Sequence, residues 1–97
     1  MMVIEKYIQD IMDEVDGACE YAEQYIVNKK SYPQWAKMYH EMAQDELKHA
    51  QYQYDIAENR IKEIQQTYKS DEDVSAWEHL MIKYVEKTAM VKHILNM

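Results

Sequence analysis

The stretch Ala43-Gln-Asp-Glu-Leu-Lys-His-Ala50 places an acid, Glu46, and an imidazole, His49, one helical turn apart in a segment whose neighbours repeat on an apolar face. At about 100° per residue, Trp35, Tyr39, Met42, Ala43, Ala50, Tyr54, Ala57, Ile61, Ile64 and Tyr68 fall on one broad arc that should face a core. Glu46 projects within about 20° of the centre of that arc and His49 about 80° away on its flank, so neither is placed for solvent. Lys37, Glu41, Asp45, Lys48, Asp55, Glu58, Lys62 and Glu63 lie mostly on the opposite side, with Arg60 an exception. Glu46 therefore reads as a singular buried acid. A carboxylate in an apolar core is costly unless it is paired, protonated or bound to a metal, and Glu-x-x-His is a spacing that suits a metal.

The surrounding chain bounds the fold. Its 97 residues make one domain, small enough for oligomerisation to help it bury apolar surface. One Gly, one Pro, no Phe and an abundance of Met, Tyr, Ala, Glu and Lys predict an all-α protein. The net charge of −7 argues against a nucleic-acid partner, which would need a basic face. A single cysteine, Cys19, excludes an internal disulfide framework and any CxxC motif and reads as a small core residue. No apolar run approaches a membrane span, and acids interrupt the opening MMVIEKYIQDIMDE where a signal peptide needs an apolar segment. A cytoplasmic, soluble protein with no membrane partner is the expectation.

Upstream, Ile4, Ile8, Ile11, Val15, Ala18, Ala22, Tyr25 and Ile26 make an amphipathic stripe that predicts a helix over residues 3–29, about 40 Å long. Glu5, Asp10, Asp13, Asp16, Glu20 and Glu23 point away from it. Glu14 lies closer, about 70° from its centre, and is this helix's candidate inward acid. Tyr21, seven residues on, returns to nearly the direction of Glu14, either as core or with its hydroxyl in the same neighbourhood. Gly17, on that side too, lowers helix propensity, which is tolerable if it lets a neighbouring backbone or side chain come close. Lys29 and Lys30 suit a helix C-terminus, and Ser31-Tyr-Pro-Gln34 resembles a capping box with proline in the first turn of a helix over residues 33–68. The result is a tight antiparallel hairpin. Glu14 lies 17 residues before Ser31 and Glu46 15 after it, depths of about 25 Å and 22 Å, so the two acids sit at one level.

The polar break Lys69-Ser-Asp-Glu-Asp73 offers N-cap groups for a third helix over residues 74–96, with Val74, Trp77, Leu80, Met81, Tyr84, Val85, Thr88, Val91, Ile94 and Leu95 on its apolar arc. Residues 1–69 thus read as a helical hairpin and 70–97 as the C-terminal helix of the same domain. His79, Glu86 and His93 repeat every seven residues on its polar side, an arrangement that could bind metal between molecules but is more often a solvated stripe.

Glu14, Glu46 and His49 are half of the ligand set for two metal ions in a four-helix bundle. An isologous dimer of two hairpins would supply four carboxylates and two imidazoles, with the two Glu46 side chains able to bridge the ions. Four carboxylates balance two divalent cations.

Glu14 with Tyr21, followed by Ala43, Glu46, His49 and Ala50 in A-x-x-E-x-x-H-A, resembles a half-site of the ferritin-like superfamily, of the ferritin or rubrerythrin kind. The resemblance covers roughly the first two-thirds of the chain. A single half in one chain is similar to the short ferritin-like proteins that assemble as dimers, including encapsulated ferritins. No cysteine pair stands for a rubredoxin-type centre, and the final KHILNM has no glycine-containing encapsulation tail. The resemblance implies a homodimer or higher oligomer with two iron ions per dimer, manganese or zinc being alternatives. The metal ligands would be Glu14, Glu46 and His49. The implied chemistry is ferroxidase-type oxidation of Fe(II) by oxygen or peroxide, with Tyr21 either as a partner beside the ligands or as a site of electron loss. The competing expectation is a non-catalytic helical assembly or scaffold protein whose site is empty or holds a structural ion.

Overall fold

A computed structural model describes residues 2–67 and 70–97; Tyr68, placed on the apolar arc above, lies outside them. The described residues form three helices, α1 (Met2–Asn28), α2 (Pro33–Thr67) and α3 (Asp71–Leu95), with no strand among them. The principal extents, 54 × 18 × 17 Å, are those of a rod whose length is set by the 35 residues of α2, about 52 Å at helical rise.

α1 and α2 pack along their length as the predicted hairpin, but on a different seam of α2. Ala36, Ala43, Ala50 and Ala57, spaced seven residues apart, are all buried, and Ala43, Ala50 and Ala57 share core clusters with Ile4, Ile11, Val15, Ala18 and Ala22 of α1. Methyl side chains at this spacing let two backbones approach closely. The buried centre of α2 therefore runs through the alanines and Ile61, and the residues on the Trp35 side are rotated out. Trp35 is 54 % exposed and stacks on Tyr32 at 4.6 Å, while Met42 and, on α1, Ile26 are also exposed.

Pro33 begins α2 as expected, but Ser31 does not cap it. Ser31 lies in the turn, and Tyr32 precedes the helix, its carbonyl accepting from the Ala36 amide at 3.0 Å. α3 starts three residues earlier than its apolar pattern suggests, because Ser70 is its N-cap. The Ser70 hydroxyl accepts from the Asp73 amide at 3.2 Å, and Asp71, Glu72 and Asp73 place negative charge on the first turn. Asp73 is 3 % exposed, so the most buried acid among the described residues belongs to this first turn.

The buried face of α3 is Trp77, Leu80, Tyr84, Thr88, Val91 and Leu95. Met81 and Val85, on its flank, are exposed. Tyr54 of α2 packs between Trp77 and Tyr84, with ring centroids at 5.1 and 4.5 Å, and the Tyr84 hydroxyl donates to Gln51 Oε1 at 2.9 Å. Lys87 pairs with Asp16 of α1 at 3.1 Å, and His40 Nε2 lies 2.8 Å from the Leu95 carbonyl oxygen. His40, Gln51 and Tyr54 lie on the flank of α2 away from Glu46 and His49. α3 therefore covers one side of the hairpin and leaves the other side open.

The alanine seam is sensitive to volume. Ala50→Leu should lower the unfolding free energy by about 1–3 kcal/mol in urea denaturation, because the seam cannot widen at one position without separating α1 from α2.

Candidate metal centre

On the open side, the hairpin brings together all three residues singled out as ligands. Glu14, Glu46 and His49 each present a ligand atom within 4.8 Å of the others. The level predicted from the turn explains this: the two helices are antiparallel, close and unbroken between the turn and the site. His49 Nδ1 is 3.6 Å from Glu14 Oε2 and 3.6 Å from Glu46 Oε1. Both separations are too long for hydrogen bonds. They suit atoms sharing one ion, since donors about 2.1 Å from a common metal lie about 3–4 Å apart.

The exposure of the three side chains departs from the sequence reading. Glu14 and Glu46 retain 24 % and 25 % of their accessible side-chain surface, and His49 retains 54 %. Glu46 is therefore a half-buried acid at the margin of the core, and His49 faces outwards. Moving the core of α2 onto the alanine seam turned both towards the open face.

Glu14 perturbs Glu46. The Glu46 pKa is raised above the ordinary carboxylate range, first because it shares a hydrogen bond with the Glu14 carboxyl, then by burial and by the Glu14 charge; His49 opposes the rise. Without a cation, Glu46 therefore keeps its proton to a higher pH than an ordinary carboxyl. A divalent ion would replace that proton and relieve the repulsion.

Gln53 also belongs to the site. Its Nε2 donates to Glu14 Oε1 at 3.2 Å, tying α2 back to the acid of α1. The sequence reading missed it, although its position seven residues after Glu46 was the available signal. Tyr21 is half-buried, and its ring stacks on Tyr39 at 6.2 Å; its hydroxyl makes no hydrogen bond to the three ligand residues among the described residues. Glu20 is exposed, as its direction predicted. His79, Glu86 and His93 are exposed and form no metal-competent group among the described residues.

A half-buried pair of glutamates and an imidazole on the face of a helical hairpin is a ferritin-like arrangement, and comparison with protein families agrees. The rubrerythrin family model matches residues 9–95. The chain belongs to the rubrerythrin family. This makes it a ferritin-like, iron-binding helical domain, and the match extends through α3, beyond the two-thirds that carried the resemblance. No curated protein and no solved structure matches the chain significantly. Among the described residues this rubrerythrin-family domain has no helix long and apolar enough to cross a membrane.

The raised Glu46 pKa fixes the sign of a pH effect. A carboxyl whose folded pKa lies above its unfolded value stabilises the fold below the unfolded value, and that contribution is lost as pH rises through the folded value. In chelator-treated protein, the melting temperature of wild type relative to Glu46→Gln should therefore fall as pH rises from the ordinary carboxylate range towards neutrality. A constant difference across thermal melts at several pH values would show that the pair is uncoupled.

Proposed function

We propose that this rubrerythrin-family chain is a di-iron protein whose site is completed by a second copy, and that it oxidises Fe(II) with oxygen or peroxide. The observation that carries this reading is the convergence of Glu14, Glu46 and His49 within 4.8 Å on an open face. Three protein donors leave positions free on an ion, and carboxylate with imidazole suits Fe(II).

The same face favours a second copy as the completing partner. Exposed Trp35, Met38 and Met42 lie on one side of the ligands along α2, and exposed Tyr52 and Ile56 on the other. This gives the ligands an apolar border that a two-fold related hairpin would bury. Two copies would then hold two ions with four carboxylates and two imidazoles. Glu14 would hold one ion on each side, Glu46 would bridge, and His49 would ligate through Nδ1, the nitrogen that faces the acids. When bound, iron supplies the one-electron Fe(II)/Fe(III) steps, with oxygen or peroxide as the acceptor. The chain's own contribution would be to hold negative charge beside the ions, which favours Fe(III). Tyr21, seven residues after Glu14 and stacked on Tyr39, would be the phenol available for electron loss.

Metal analysis combined with native mass measurement on protein purified without chelator should give a dimer carrying one pair of iron ions. Metal-free monomer that neither binds added Fe(II) nor gains thermal stability from it would show the reading to be wrong. Glu46→Ala should abolish paired binding, whereas Glu20→Ala should leave it intact. Anaerobic Fe(II) loading followed by oxygen should produce ferric absorbance within one mixing experiment. Ions that stay unchanged would instead assign the centre a structural role.

A further inference from the structure

We infer that Gly17 and Gln53 are positioning residues that hold the Glu46 and Glu14 carboxylates towards one another; this deepens the metal-binding reading above and rests on it. Gly17 lies one turn beyond Glu14 on α1. A Cβ placed on it would sit 2.9 Å from Glu46 Oε2, 3.6 Å from its Cδ and 3.8 Å from its Cγ. The Glu46 side chain thus lies along the α1 backbone at the one position where that backbone carries no side chain.

Backbone conformation does not explain this glycine. It has no positive φ, and it sits in the interior of a 27-residue helix, where alanine would be the better helix former. Space does explain it. An oxygen 2.9 Å from a methyl carbon must move, and because it ends a flexible side chain it would do so by rotating, carrying the carboxylate away from its present place near Glu14 and His49.

Gln53 acts on the other acid. By donating to Glu14 Oε1, it leaves Glu14 Oε2 as the oxygen turned to His49 Nδ1. Its own Oε1 is buried and has no hydrogen-bond partner. A buried amide with an unsatisfied oxygen is unfavourable by itself, and an apolar side chain of similar length would avoid the cost. The amide is explained by what it does for Glu14. The two residues therefore restrain opposite walls of the site: Gly17 sets where Glu46 can lie, and Gln53 sets which oxygen of Glu14 faces inwards. Neither needs to touch an ion.

A thermal double-mutant cycle on the full chain, in chelator and at fixed protein concentration, tests the Gly17 half without any metal. In a Glu46→Ala background, Gly17→Ala should raise the melting temperature by about 4–8 °C, the ordinary gain from alanine in a helix. In wild type the gain should be much smaller or negative, because the methyl then displaces Glu46. Equal gains in both backgrounds overturn the inference. Titration with Co(II), followed by its visible absorption, tests the consequence for the site. Gly17→Ala and Gln53→Met should each weaken Co(II) binding roughly tenfold to hundredfold, while both proteins keep wild-type helical circular dichroism. Wild-type affinity in both variants overturns the positioning role. Absence of Co(II) and Fe(II) binding by wild type overturns the metal reading, and the ion-free thermal cycle distinguishes that failure from a failure of the Gly17–Glu46 packing.

Discussion

Close approach of α1 and α2 along the line of alanines is the constraint on which the rest depends. With four methyl side chains at seven-residue intervals on α2, the two backbones come near enough for side chains as short as glutamate to meet across the seam. A bulkier seam would separate Glu14 from Glu46 and leave each to be solvated alone. The electrostatics of the centre thus originate in a packing decision: helices that approach this closely bring like charges together, and the raised Glu46 pKa records the conflict.

That conflict is tolerable because the site sits at the margin of the core. Glu14 and Glu46 keep about a quarter of their surface and His49 keeps more than half, so water screens the acids when no cation is present. A fully buried version would bind ions more tightly but would cost far more stability when empty. The half-open position also places the three residues where ions could reach them directly from solvent.

Much of this was legible in the sequence. Equal depth from the turn was sufficient to pair Glu14 with Glu46 across 31 intervening positions, because both helices are regular up to the turn. The spacing of Glu46 and His49 needed only helical geometry. What could not be read was the rotation of α2. Large apolar side chains such as Trp35 and Met42 weigh heavily in a hydrophobic arc, whereas alanines weigh little, yet it is small size that permits close packing. Centring the arc on the large residues made Glu46 look deeply buried. Gln53 was missed for a related reason: a neutral amide carries no charge signal, and its importance appears only once Glu14 is known to lie opposite. Ser31 looked like a cap from its place before Pro33, but the turn extends to Tyr32 and moves it out of reach.

The placement of α3 has a consequence for which part of the hairpin meets water. The hairpin has two broad sides, and α3 takes one of them, packing on Ile4, Ile11 and Val15 of α1 and on Tyr54, Gln51 and His40 of α2, which leaves the side that carries Glu14, Glu46 and His49 uncovered. Without α3, the apolar side chains on the covered side would face water and compete with the open side as a sticky surface. The third helix supplies none of the three clustered residues, yet it is the element that decides which side of the hairpin stays open.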